Sequence, residues 1–331
     1  MNDIKQMSGR ENIFKNSTVL IGFVLILFCI VATIFSPYFL TLYNLQSLMR
    51  DIAFIGMVAV GQSLLLLLGE LDLSVGSMAT LSGILGGLLM TSAGMNPYLA
   101  FVIGVLVGAG LGAINGALIT SLKLNAMVAT IGMQGVYTGI TLVITKGKAI
   151  TEIPSSILFL GQDNAGPLPI PFVIALVVVV LVFIFATKTK TGRYIYAIGN
   201  SKPAAEILGI RVNRIRVLVF AIVGLLSALA GMLYVARLGS AQATIGSNWA
   251  MNSIAASVIG GVLLTGGVGN PVGSFIGAAI ICVISNVIVL FGVNIYWQQA
   301  VSGIVVVVAI ALPSIMSILR EKKRIKVLAK E

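Results

Sequence analysis

Apolar runs long enough to cross a lipid bilayer recur along the whole chain, with only brief polar punctuation between them. They extend from Val19 to Phe35, Ile52 to Gly69, Val75 to Thr91, Pro97 to Thr120, Ala126 to Thr145, Phe172 to Ala186, Val217 to Ala236, Ser253 to Leu264, Ser274 to Gly292 and Ala300 to Leu319. A spanning helix needs about 20 residues, and within lipid a helix closes its own backbone hydrogen bonds. The pattern predicts an all-α, polytopic integral membrane protein with about ten transmembrane helices. Of the 331 residues, 58% are hydrophobic and 9% charged, whereas soluble domains carry about one-quarter charged residues. Two runs are short for a bilayer. Phe172 to Ala186 is expected to borrow from its flanks, and Ser253 to Leu264 to be re-entrant or broken.

Charge orients these runs. Residues 1–16 carry Lys5, Arg10 and Lys15 and read as a cytoplasmic lead-in, with no small-residue cleavage site after the first run. Segment 188–216 carries Lys188, Lys190, Arg193, Lys202, Arg211, Arg214 and Arg216 against the single acid Glu206. The tail 320–331 holds six basic residues and two acids. The positive-inside bias places all three in the cytoplasm. Parity then requires an even number of crossings between them, which six spans in 17–187 and four in 217–319 supply. Lys123 falls inside, and the near-neutral, proline-punctuated loop 146–171 falls outside. The whole of 1–331 reads as one transmembrane domain. The net charge of +11 sits mainly in the cytoplasmic segments, which fits contact with anionic lipid headgroups and not a nucleic-acid stripe. Arg50 and Asp51 adjoin and are read as neutralising one another.

Residues 77–97 align without a gap to residues 251–271, with identities at Gly86/Gly260, Gly87/Gly261, Leu89/Leu263, Thr91/Thr265, Asn96/Asn270 and Pro97/Pro271. These lie in the third and eighth runs. Five crossings is an odd offset, so the copies face opposite ways, an inverted internal repeat of the kind found in alternating-access transporters. Glycines one turn apart at Gly104, Gly108 and Gly112 predict close helix packing, and Gly266, Gly267 and Gly269 ahead of Asn270-Pro271 predict a backbone break.

Within the basic segment, Pro203 to Gly209 reads as a short helix with proline near its start and glycine at its close. A basic loop that folds a helix between spans is a docking surface. Glu70 and Asp72 are acids between apolar runs, with Ser74 as a candidate cap for the next helix. Two readings stand: Asp72 caps a cytoplasmic turn, or the acids line a translocation cavity. Gln62, Asn115, Asn125, Gln134, Asn252, Thr265 and Gln298 are further candidate lining residues, each also able to serve as an interhelical hydrogen bond.

Some chemistries are excluded by the residues. The chain lacks histidine, has only Cys29 and Cys282 in apolar runs, and contains no phosphate-binding GxxxxGK[ST] loop. No catalytic triad or metal cluster can be assembled from it, so it is not read as an enzyme, no cofactor is expected, and any ATP hydrolysis belongs to another chain.

The segments GQSLLLLLGELDLSVGS at 61–77, GRYIYAIGN with the following AA and GI at 192–210, IAASVIGG at 254–261 and GGVGNPVGSFIGA at 266–278 together resemble the membrane permease of ribose-type ABC importers, nearly end to end. Two stretches differ from the family pattern: Ala250-Met251-Asn252 stands where Glu-Leu-Asp is usual, and Glu70 where glycine is common. The resemblance implies a type II importer-like permease in the inner membrane of a bacterium, paired with a second permease copy. It further implies cytoplasmic ATP-binding subunits and an extracytoplasmic sugar-binding protein as partners. The family's coupling helix carries over to Gly199, Asn200, Pro203, Ala204, Ala205, Glu206, Gly209 and Ile210. The alternative is a secondary transporter whose acids, Glu70 and Asp72, bind H+ or Na+.

Overall fold

The computed structural model describes residues 2–292 together with Trp297, Ala300, Gly303, Ile304 and Val307. In chain order the elements are α1 (Asn2–Phe35), α2 (Leu42–Leu67), α3 (Val75–Thr91), α4 (Pro97–Ser121), α5 (Ala126–Thr145), α6 (Ser155–Gln162), β1 (Asn164–Ala165), β2 (Leu168–Pro169), α7 (Ile170–Lys188), α8 (Lys190–Asn200), α9 (Lys202–Ile207), α10 (Val212–Leu238), α11 (Trp249–Ile259) and α12 (Pro271–Leu290). Among the described residues seven helices are long and apolar enough to cross a membrane, namely α1 from Thr18, α2, α4, α5, α7, α10 and α12, while α3 and α11 are shorter apolar helices. Nine of the ten expected runs are thus helical among the described residues. Most of the tenth, with Gln298 and the basic tail, lies outside them.

Helix starts follow local chemistry. Asn96, Asn125 and Asn270 each accept hydrogen bonds from backbone N–H groups of the helix that follows, and Pro97 and Pro271 stand in the first turn, where the missing N–H costs nothing. The run at 172–186 does borrow from its flanks, becoming α7. The run at 253–264 is a broken helix: α11 ends at Ile259, and Gly261, Gly266, Gly267 and Gly269 all take positive φ before α12 begins. The loop at 146–171 is more ordered than its prolines suggest, since it folds α6 and the β1–β2 hairpin, paired Asn164 with Pro169 and Ala165 with Leu168.

The internal repeat has a structural counterpart. At the offset of the alignment, α3 and α11 start at Val75 and Trp249, and α4 and α12 at Pro97 and Pro271. Their directions are opposed. Gly231 and Val235 of α10 pack in order on Ala79 and Gly83 of α3, so these two helices run parallel. Asp51 of α2 meets Arg237 of α10 while Gly61 meets Val223, and Asn44 of α2 meets Asn286 of α12 while Gly56 meets Phe275. Both α10 and α12 are therefore antiparallel to α2. Ala256 and Gly260 of α11 face Gly277 and Gly273, antiparallel to α12, so α3 and α11 point opposite ways. At 1.5 Å per residue they measure about 25 Å and about 16 Å, so α11 is too short for the hydrocarbon core.

The tightest seam joins α4 to α10. Gly104, Gly108, Gly112 and Gly116 form one stripe on α4, and a side chain at Gly108, Gly112 or Gly116 would collide with backbone atoms of Gly224, Phe220 or Val217. Lipid gives helices no hydrophobic reason to associate, so such small-residue contact supplies the packing energy. By contrast Gly132, Gly135 and Gly139 on α5 face outward with nothing against them. Overpacking of this kind costs roughly 1–3 kcal/mol. Gly112→Leu is expected to lower the unfolding midpoint of the detergent-solubilised protein and Gly135→Leu to leave it nearly unchanged; equal effects in a thermal scan would refute the seam's importance.

Candidate functional site

The two ends of α2 and α10 carry different chemistry. At one end the C-terminus of α2 meets the basic segment, which folds as two helices where the sequence suggested one. Thr189 Oγ1 accepts from Gly192 N–H to start α8, whose Gly192, Ile195 and Ile198 are buried while Lys190, Arg193 and Tyr194 are exposed. That amphipathic spacing was the signal available in the sequence for α8. Ser201 caps α9, so that Lys202 precedes Pro203 in its first turn. The helix closes as expected at Gly209, which has φ +76°, with Ile210 N–H donating to Ala205 O, a Schellman ending.

This segment is seated by side-chain donors on the α11–α12 break, which a backbone bond ties to α2. Gly267 N–H donates to Leu67 O at 2.9 Å, Tyr196 O–H donates to Gly269 O at 3.0 Å, and Asn200 Nδ2 donates to Gly267 O at 3.4 Å. A side chain at Gly199 would collide with Leu67 O and Gly267 N. Burial pushes the Tyr196 phenol up to about 12, which keeps it a neutral donor. Gly199 and Ala205 thus face the bundle, whereas Pro203, Ala204, Glu206 and Gly209 are exposed. Ile207 at 87% and Leu208 at 76% are also strongly exposed, two apolar side chains that sequence reading did not single out. Glu70, in the α2–α3 link beside them, pairs with Arg216 of α10. Burial raises its carboxyl above the usual range, and the Arg216 guanidinium opposes that shift.

At the other end lies a cavity of 690 Å³ between the start of α2, the end of α10, the 242–248 segment, α11 and α12. Its wall combines the rings of Phe54, Tyr234 and Trp249 with amides of Asn44, Gln242, Asn248, Asn252 and Asn286. The rings form one aromatic group: Phe54 and Trp249 stack with centroids 6.5 Å apart, and Tyr234 meets both edge-on at 5.0 and 5.7 Å. Asn44 and Asn286 exchange reciprocal amide hydrogen bonds of 3.0 and 2.8 Å across the lip. Of the candidate lining residues among the described residues, Asn252 alone borders this cavity. Asp51 is not neutralised by its neighbour Arg50. It pairs with Arg237, and Arg50 instead donates to Gln162 O and Asn164 Oδ1 in the outer loop.

The other candidates lie elsewhere. Asp72, Ser74 and Asn115 form one buried network: Asp72, 0% exposed, accepts from Ser74 N–H and O–H at 2.7 and 2.6 Å and from Asn115 Nδ2 at 3.2 Å. Tyr137 O–H lies 2.8 Å from Asn115 Oδ1, and Thr130 Oγ1 accepts from Leu73 N–H. Ser74 holds the N-cap place of α3 without a capping bond from its own side chain. Asp72 thus neither borders the cavity nor sits in an exposed turn; it ties α3, α4 and α5 together. Gln62 is buried within α2, Gln134 faces outward on α5, Asn125 caps α5, and Thr265 is exposed in the loop that meets α8. Among the described residues no group of His, Cys, Asp and Glu is placed to hold a metal. Asp72→Ala and Asn115→Ala are each expected to cost roughly 1.5–3 kcal/mol, and to be far from additive when combined, because they share one network. Additive losses in a double-mutant thermal cycle would break this assignment.

The family model described as "Branched-chain amino acid transport system / permease component" matches residues 44–310. The chain is 39% identical over 290 residues to the ribose import permease protein RbsC of Bacillus subtilis, covering 87% of this chain and 90% of that one. It is 35% identical over 290 residues to RbsC of Escherichia coli K12, covering 86% and 90%. With the autoinducer 2 import system permease protein LsrC of Klebsiella pneumoniae it shares 31% identity over 302 residues, covering 91% and 88%. No solved structure matches it. A multi-pass chain with seven apolar spanning helices, an inverted pair of short ones and these relatives belongs to the family of ABC-importer permease components found in bacterial inner membranes, in company with its carbohydrate members.

Proposed function

We propose that this chain forms the translocation path of an ATP-driven importer for a monosaccharide, ribose or a related pentose, hexose or sugar-like solute, and docks to cytoplasmic ATP-binding subunits through α8 and α9. The observation that carries the reading is the pairing of two features on the same helices. An aromatic and amide-lined cavity opens at the outer ends of α2 and α10, while Ile207 and Leu208 project from α9 at their opposite ends. Amides can donate to and accept from hydroxyls, and aromatic faces pack against the apolar faces of sugar rings. Two strongly exposed apolar residues on a short helix fit a protein partner's pocket.

Coupling then follows from the seating of the segment. A push on α8 and α9 reaches the break between α11 and α12 through the Tyr196–Gly269 and Asn200–Gly267 hydrogen bonds, and through the Leu67–Gly267 bond it reaches α2, whose other end borders the cavity. Rigid-body rocking of packed helices, in two permease copies working against one another, would switch the cavity between faces. The outward stripe of α5, with Gln134 among glycines, suits the second copy, because an amide facing lipid is costly. An extracytoplasmic sugar-binding protein delivers the solute at the outer mouth.

Ile207→Asp with Leu208→Asp is expected to leave the permease inserted and folded but to abolish co-purification of the ATP-binding subunit and reduce uptake at least about tenfold, the scale of a lost hot-spot contact; retained co-purification would refute the docking assignment. Uptake measured in cells depleted of ATP but holding their ion gradients should cease. Continued uptake would favour a secondary transporter.

A further inference from the structure

Among the described residues the cavity wall carries one carboxylate, Asp51, and no Lys or Arg. Arg237 lies just behind it. Its guanidinium pairs with Asp51 and approaches Ser47 Oγ at 3.4 Å, and it stands 5.6 Å from the ring centre of Phe54 and 6.0 Å from that of Tyr234. Both rings belong to the cavity wall. Arg237 is therefore held behind the wall by groups that also face the solute; Asp51 opposes its charge on the cavity side, while Arg50 lies with Arg237 on the far side and is engaged by the 162–164 segment. A guanidinium is always charged and cannot be silenced by losing a proton, so only a fixed partner can make this part of the wall electrically neutral.

We propose that the Asp51–Arg237 pair sets the charge selectivity of the cavity. Balanced, it leaves a wall of amides, hydroxyls and rings that admits neutral polyols. Unbalanced by loss of Asp51, it admits anionic solutes such as sugar acids and sugar phosphates; unbalanced by loss of Arg237, it admits cationic ones. The inference rests on the reading of this cavity as part of the solute path and assigns that path a specificity device. Asp51 is the charged group on the wall itself, and Arg237 acts on a solute's charge from behind it. Stacking on Phe54 and Tyr234 keeps the guanidinium in place when the carboxylate is removed, so the altered charge stays at the wall.

Cys282 supplies the probe, because it lines the same cavity. The full-length chain, with Cys29→Ser, is treated in right-side-out membrane vesicles with sulfonatoethyl, trimethylammonioethyl and methyl methanethiosulfonate, three reagents of similar reach and different charge. Rates for the charged reagents are divided by the rate for the neutral one, which removes changes in thiol reactivity. Relative to the parent, Asp51→Asn is expected to raise the anionic ratio on the order of fivefold and lower the cationic ratio, as a single uncompensated charge near the path does at moderate ionic strength. Arg237→Gln should do the reverse, and Asp51→Asn/Arg237→Gln should return both ratios to near the parent's. If Asp51→Asn fails to insert, the rise in cationic ratio with Arg237→Gln decides the matter alone. Ratios that stay flat while Cys282 is labelled overturn the selectivity proposal and leave the cavity's role intact. If Cys282, which is 3% exposed, is reached by no reagent in any variant, the same ratios are read with Ser285→Cys, a part-exposed residue of the same wall, and failure there overturns the reading of the cavity as an outward-facing solute path, and the proposal with it.

Discussion

The fold depends on backbone-to-backbone approach in a medium where side-chain hydrophobicity earns nothing. Lipid is as apolar as leucine, so α4, α10 and α3 associate through glycine contacts that bring main chains together, at Gly108 against Gly224, Gly112 against Phe220 and Gly231 against Ala79. The consequence is a rigid central helix, α10, flanked on both sides along its length. Rigidity there matters because α10 reaches from Arg216, beside the basic segment, to Arg237 at the cavity wall. A soft helix would absorb a displacement; one packed at backbone distance transmits it.

Irregular backbone inside such a bundle is tolerated only where protein or water satisfies it. Among the described residues, two such places adjoin the short helices of the inverted repeat on the side of the basic segment. In the α2–α3 link, the Asp72 network supplies the acceptors that the start of α3 requires. In the α11–α12 break, the main chain of 266–269 bonds to Leu67, Tyr196 and Asn200. The first break is locked by side chains from three helices and reads as structure. The second is held by the segment proposed to receive an external push, and so connects the sites at the two ends.

The charged residues divide in the same way. Positive charge distributed over α8, α9 and the first turns of α10 faces outward and orients the chain, whereas the charges that meet helices, Glu70 with Arg216 and Asp51 with Arg237, are paired. Pairing across 146 and 186 residues of sequence is not visible in a linear reading. Adjacent Arg50 and Asp51 suggested a local pair, but successive residues on a helix point about 100° apart, and each found a partner on the element it faces.

The sequence by itself determined the class of the protein, the order of its apolar helices among the described residues, the repeat and the place of the short helix at Pro203, because bilayer thickness and helix-end chemistry act on local composition. It also fixed which helices break, since Gly and Asn-Pro dictate backbone conformation where they stand. Only the tertiary structure decided which polar residues share a site. Asp72, Ser74 and Asn115 could be read as caps and interhelical hydrogen bonds or as cavity lining, and they bind one another, while Phe54, Tyr234, Trp249 and Asn286 looked like ordinary span residues and meet at one cavity. The reason is geometric: in lipid an amide or a ring gains little from its neighbours in sequence, and its role is set by the face it turns inward and by the helix that glycine contacts bring alongside.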